Sequence, residues 1–250
     1  MFAAWVGLAV FWVGCSAEST DEGDTPEPGD SSSAQVAMKD AIVYGQQGGD
    51  ALVFFHGLGG AGGTEAVSAA KATLGSSGSY FIPGITDWET PARTDGRVDA
   101  FLERASPGRA TLSGYSAGRK PVYRWLAAHL DDGSVDRVVL FDPSWENWTE
   151  AGGKGGGEVV AQWLERRPSR TALLLYTNAA YVPATKNRVS RTPMETFTMA
   201  RQAHPELFAE GEERLSLCYV PVGHGDVPRY FARTLQGDLS FCRPDPRLPR

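Results

Sequence analysis

The sequence predicts an α/β domain built on a mostly parallel, doubly wound sheet with helices on both faces. Three observations carry that expectation. Short apolar runs of β type alternate along the chain with longer helical stretches, the order produced by parallel strands joined through right-handed crossovers. Several runs are almost unbroken in apolar character, as in Val138-Val139-Leu140-Phe141 and Leu173-Leu174-Leu175-Tyr176, which suits strands buried on both faces. A content of 42% apolar residues with 29 glycines in 250 residues leaves enough side chain to fill a core.

Taken in order, strands are expected at Ala41–Tyr44, Ala51–His56, Ser79–Pro83, Ala110–Ser113, Val135–Phe141, Thr171–Thr177 and Leu215–Val222. Each is a short run enriched in β-branched and aromatic residues. Helices are expected at Thr64–Leu74, Val98–Arg104, Ala117–Leu130, Glu158–Arg166, Thr196–Ala209 and Pro228–Leu235. The stretch from Lys120 to Leu130 shows the helical period most plainly, with Val122, Trp125, Leu126 and His129/Leu130 on one side. No internal repeat is visible. One domain is therefore expected over residues 41–243, with 244–250 as a C-terminal tail.

The 40 residues before that domain read differently. Phe2 to Val13, "FAAWVGLAVFWV", is too short to span a bilayer and has the length of a signal-peptide hydrophobic region. It runs into Gly14-Cys15, and the segment 1–15 resembles the signal of a bacterial lipoprotein, which implies Cys15 as a lipidated first residue and an anchor in a membrane facing the periplasm or cell exterior. The alternative is an ordinary secretory signal with an incidental cysteine. Residues 16–40 hold seven acids against one lysine out of 30 acids and 24 bases in the chain, so the whole net charge of -6 lies there. With few apolar side chains to bury, this segment is expected to be a disordered tether. The remainder is neutral and offers no basic face for nucleic acid.

The cysteine count agrees with export. Besides Cys15 there are Cys218 and Cys242, and an oxidising compartment would let them pair, stapling the C-terminal tail to the last strand. The chain-entropy model gives such a loop about 3 kcal/mol.

The chemistry centres on Gly114-Tyr115-Ser116-Ala117-Gly118. In a glycine-rich chain this pentapeptide means little by itself. Here it stands between a predicted strand and a predicted helix, where a sharp turn can hold the Ser116 hydroxyl exposed above the sheet. A hydroxyl nucleophile needs a base. Of His56, His129, His204 and His224, only His224 follows a late strand, and a parallel sheet brings its strand C-termini to one edge, within reach of the turn. His129 and His204 read as ordinary surface or half-buried residues.

The glycine-rich segment "HGLGGAGG" after the second strand has two readings. Gly57 to Gly62 fits G-x-G-x-x-G, but a dinucleotide site calls for an acid about twenty positions on, and "GSSGSYFI" at 75–82 has none. As a loop of exposed amides it makes better sense: the Leu58 N–H, with the Ala117 N–H after the serine, can bind a developing oxyanion. No cofactor or metal enters this reading.

Histidine-glycine after an early strand, G-x-S-x-G at a strand-helix turn and a late histidine, in that order, resemble the α/β-hydrolase superfamily over residues 41–235. The resemblance implies that fold, an esterase-like acyl transfer through Ser116 and His224, and Leu58 and Ala117 as the oxyanion amides. Most members carry the triad acid after the strand preceding the histidine strand, here Thr171–Thr177, but the next acid is Glu195. One strand earlier Asp142 ends a strand and precedes Pro143, a placement similar to that of pancreatic-type lipases. Asp142 is thus the first candidate and Glu146 the second, while Asp226 stands too near His224 to turn back onto its ring. No stretch between the fifth strand and His224 has the length of a large cap, so an open site is expected, edged by Trp145, Trp148, Tyr181 and the glycine-rich segment 151–157. These aromatics either line the site or pack its loops. The leading expectation is an exported serine hydrolase cleaving a small ester or other acyl substrate. An amidase or peptidase with the same residues, and a silent surface lipoprotein using the fold for binding, are the alternatives.

Overall fold

The computed structural model describes residues 39–84, 95–143, 156–177, 205–208 and 214–244, all within one compact unit, Gln35–Arg250. Its strands are β1 (Ala41–Val43), β2 (Asp50–Phe55), β3 (Ser79–Ile82), β4 (Arg109–Tyr115), β5 (Arg137–Phe141), β6 (Thr171–Tyr176) and β7 (Leu215–Tyr219). Its α-helices are α1 (Gly63–Leu74), α2 (Asp95–Ala105), α3 (Arg119–Ala128), α4 (Gly156–Glu165) and α5 (Phe231–Leu235). Short 3-10 turns stand at Leu58–Gly60, Ser116–Gly118, Pro205–Phe208 and His224–Tyr230.

The strands form one sheet in the order β1-β3-β2-β4-β5-β6-β7. Every neighbouring pair is parallel except β1 and β3, which run antiparallel with Ile42 opposite Phe81. This agrees with the mostly parallel sheet expected from the alternation in sequence. The exception is an edge strand of three residues, with Ile42 and Val43 exposed. It does not cross over a helix to reach the sheet, and so nothing obliges it to run parallel.

Strand alternation divides the core into two layers. On one face Val53, Phe55, Leu112, Val138, Leu140 and Leu174 pack under α2, α3 and α4, whose Phe101, Trp125 and Trp163 complete that layer. On the other face Leu52, Phe54, Val139, Phe141 and Leu175 lie against Ala66, Ala69 and Ala70 of α1 and Phe231 and Leu235 of α5. Phe54, Phe141 and Phe231 form a three-ring contact with centroids 4.6–5.8 Å apart. Each fully buried aromatic contributes about 1.5–3 kcal/mol by its area alone.

One helix expectation lies mostly outside the described residues, and another needs correction. Of 196–209, only Pro205–Phe208 is described, and it is a 3-10 turn. The last helix was expected from Pro228, yet residues 224–230 are 3-10, with Pro228 inside, and α-geometry begins at Phe231. Proline lacks an amide donor and disfavours the α conformation in the residue before it. Beyond α5 the tail returns to the sheet. Cys218 and Cys242 are joined as a disulfide, and the Arg243 amide donates to the Tyr219 carbonyl at 2.9 Å.

Candidate active site

The strand-to-helix turn is sharper than the pentapeptide alone indicates. β4 continues through Gly114 and Tyr115, which pair with Phe55 and Phe141 on the neighbouring strands. The chain then turns at Ser116, whose φ is +52°. A left-handed backbone costs a serine about 1–2 kcal/mol, and such strain concentrates at functional positions. The flanking glycines answer a different need. A Cβ on Gly114 would lie 2.6 Å from the Gly118 carbonyl oxygen, and one on Gly118 would lie 2.1 Å from that of Phe55. These residues are glycine because backbone meets backbone there.

That close approach seats the turn against the loop after β2. The 3-10 turn Leu58–Gly60 packs beside the turn Ser116–Gly118. Within the loop the Gly57 amide donates to the Ala61 carbonyl at 2.7 Å, and Gly62 takes φ +75° before α1 begins. Leu58 and Ala117 both belong to the opening turn of a 3-10 segment, positions whose amides have no acceptor within the turn. His56, at the base of the loop, is fully buried, with its ring Nδ1 2.8 Å from the Gly57 carbonyl. Burial pushes its pKa below the ordinary histidine value, so the ring is neutral at pH 7.

Asp142 and His224 meet. Asp142 is the first residue past β5 and has φ +45°, a conformation aspartate tolerates better than most residues. Its amide donates to the Leu175 carbonyl at 2.6 Å, extending the ladder one step, and its side chain is wholly buried. Three donors converge on the carboxylate: the Thr177 amide at 3.1 Å, the Thr177 hydroxyl at 2.9 Å, and Nδ1 of His224 at 2.5 Å. A carboxylate can only accept, so Nδ1 carries the ring proton and Nε2 is left as the acceptor. The His224 side chain is 38% exposed, while the acid it meets has no exposure.

The imidazole is also held from beneath. Tyr115, next to Ser116, stacks on it with centroids 4.9 Å apart and planes 22° from parallel, and its hydroxyl donates to the His224 carbonyl at 2.8 Å. Burial first, and then the nearby carboxylates of Asp142 and Glu65, push the Tyr115 phenol up to about 12. It is therefore a neutral donor at any working pH. Leu58, Ser116, Asp142, Thr177 and His224 thus follow β2, β4, β5, β6 and β7 at one edge of the sheet.

The other sequence candidates fall as follows. His129 caps the end of α3, stacked on Trp125 at 4.2 Å, and Asp226 pairs with Arg229 at 2.8 Å on the surface. Gly156 and Gly157, expected in a loop beside the site, open α4 instead. A Cβ on Gly156 would stand 2.2 Å from the Tyr123 ring, so the glycine lets helix and ring pack. Cys15, Trp145, Glu146, Trp148, Tyr181 and His204 lie outside the described residues. A cavity of about 530 Å³ opens at the opposite, N-terminal edge of the strands, lined by Asp50, Arg109, Thr111, Asp136 and Arg137, away from this cluster. Tyr115 and Thr177 were not singled out from sequence. For Thr177 a signal existed, since it stands where the resemblance expects an acid; for Tyr115 the only signal was its place inside the pentapeptide.

No protein-family model matches the chain, and neither does any curated protein. Among solved structures it is similar to a protein of unknown function from Agrobacterium tumefaciens, at a TM-score of 0.50 and 15% identity, over 80% of this chain and 94% of that one. It is also similar to a "predicted CIB-like hydrolase" from Thermoplasma acidophilum, at 0.50 and 14%, over 79% and 89%. The esterase domain of a Rhodothermus marinus protein matches at 0.49 and 16%, over 78% and 88%. At such identities the first two speak to architecture alone. Together with the sheet order and the placement of helices on both faces, they show that the chain has the α/β-hydrolase fold.

Proposed function

We propose that this chain is an exported serine hydrolase that cleaves carboxylic esters through an acyl-enzyme, with Ser116 as nucleophile, His224 as base and Asp142 as the acid. The observation that carries the reading is the buried Asp142 carboxylate bonded to Nδ1 of His224 at 2.5 Å, with the His224 ring stacked on Tyr115, the residue before a serine held at φ +52°. The acid fixes the tautomer that leaves Nε2 free to accept a proton, and it stabilises the imidazolium once formed. His224 takes the Ser116 proton as Oγ attacks the ester carbonyl. The Leu58 and Ala117 amides bind the oxyanion. The intermediate collapses as His224 returns the proton to the leaving alcohol, and water then releases the acid by the same steps in reverse order. Export and lipid anchoring through Cys15 rest on the N-terminal residues, and an oxidised Cys218–Cys242 pair supports the compartment.

The test is labelling by a fluorophosphonate, which forms a bond only with an activated serine. Wild type should label at Ser116 and hydrolyse a short-chain aryl ester, while Ser116→Ala should fold, fail to label and lose hydrolysis. An unlabelled wild type, or turnover in Ser116→Ala near the wild-type rate, would overturn the assignment.

A further inference from the structure

Tyr115 occupies an unusual place between the parts of the site. It precedes Ser116 on β4, so its backbone helps set where the turn begins. Its ring stacks on the His224 imidazole and its hydroxyl bonds to the carbonyl of that same residue, 109 positions away. The ring also closes on the third loop: a Cβ on Gly57 or Gly62 would stand 3.2 or 3.1 Å from Tyr115 Cδ1. From behind, Phe231 meets it edge-on with centroids 5.5 Å apart. One buried ring therefore touches the loop after β2 and the loop after β7, on a residue whose backbone leads directly into the turn after β4.

On the reading of Ser116, His224 and Asp142 given above, we infer that Tyr115 is a positioning residue that locks His224 to the turn carrying Ser116. Asp142 holds the imidazole at one nitrogen only, which leaves the ring free to swing about that bond. Stacking fixes the ring plane, and the hydroxyl fixes the backbone from which the ring hangs. The base and the nucleophile then move as parts of one rigid element, and a misplacement of about 1 Å in such a pair can cost roughly 100-fold. The stacked phenol also faces the imidazolium formed during acyl transfer, an attraction that is strongest when the ring is charged. A tyrosine serving the core alone would need neither contact to fall on His224.

Two variants separate the contributions. Tyr115→Phe keeps the stack and loses the hydrogen bond, and should lower kcat about tenfold with KM within about twofold. Tyr115→Leu loses both and should lower kcat about 100-fold. All rates are expressed per active site, titrated by the fluorophosphonate burst, so that a lesion which merely unfolds part of the sample lowers the titre and leaves kcat per site alone. The downfield proton resonance of the His224–Asp142 hydrogen bond should persist in Tyr115→Phe and broaden in Tyr115→Leu. If Tyr115→Leu fails to fold, Tyr115→Phe still decides. A kcat per titrated site within twofold of wild type in the folded variants overturns the inference and leaves the hydrolase reading standing. An unlabelled wild type overturns the hydrolase reading itself.

Discussion

Thr177 offers a clean perturbation because valine nearly copies its shape. Thr177→Val removes one donor from a carboxylate that has three within the described residues, keeps the Thr177 amide at 3.1 Å and fills the same space. The lost bond is charge-assisted and buried at an acid whose side chain has no exposure, so its removal should cost about 2 kcal/mol. For a domain of this size that lowers Tm by roughly 4–8 °C. On the proposed mechanism the catalytic loss should be comparable or larger, about 10- to 100-fold in kcat, because Asp142 would hold the imidazolium as well as the resting ring. Asp142→Asn sets the lower limit, near a 10⁴-fold loss, and Thr177→Ser should recover most of the wild-type rate. Stopped-flow hydrolysis of an aryl ester and thermal unfolding supply the two readouts. A Thr177→Val protein with wild-type kcat and wild-type Tm would refute the claim that this hydroxyl holds the acid.

Two further substitutions probe the frame. Gly118→Ala places a methyl 2.1 Å from the Phe55 carbonyl oxygen; backbone must move, at about 1–3 kcal/mol, and calorimetry should show a lower Tm together with at least roughly tenfold slower turnover as the Ala117 amide shifts. An unchanged Tm would mean that the two turns are looser than described. His56 predicts a pH effect whose sign follows from burial. Its folded pKa lies below the ordinary value of 6.5, so below about pH 6.5 the unfolded chain takes up this proton before the folded one does. Stability from this residue is full above that pH and falls as the pH drops toward the lowered folded value. Urea midpoints at pH 8 and pH 5.5 should differ more in wild type than in His56→Gln, and equal differences would refute it.

The sheet was legible because strands buried on both faces leave unbroken apolar runs, as at Val138–Phe141 and Leu173–Leu175. The turn at Ser116 was legible because glycine is forced where backbones touch, and Gly114 and Gly118 are such places. Asp142 was singled out by its position at a strand end, a local signal, and the structure places it against His224. What was not legible has no local signal. β1 runs antiparallel through only three residues, too few to show a period. The 3-10 turn at His224–Tyr230 hid inside a helical pattern because a 3-10 segment shares its short range of spacing. Tyr115 and Thr177 act through partners 109 and 35 residues away, and no spacing rule connects such pairs.

The adjacency of β5 and β6 has a consequence for how a site of this kind can change over generations. Phe141 pairs with Leu175, and just beyond that rung Asp142 and Thr177 face each other. The Thr177 hydroxyl and Nδ1 of His224 meet on one and the same oxygen of Asp142. The side chain at the end of β6 therefore reaches the same carboxylate oxygen that holds the imidazole. On the proposed mechanism, an acid placed after β6 and a hydroxyl placed after β5 would be the mirror image of this arrangement, with the proposed nucleophile and base left where they are. In this chain the address after β6 is occupied by a threonine, and the proposed acid stands on the strand end beside it.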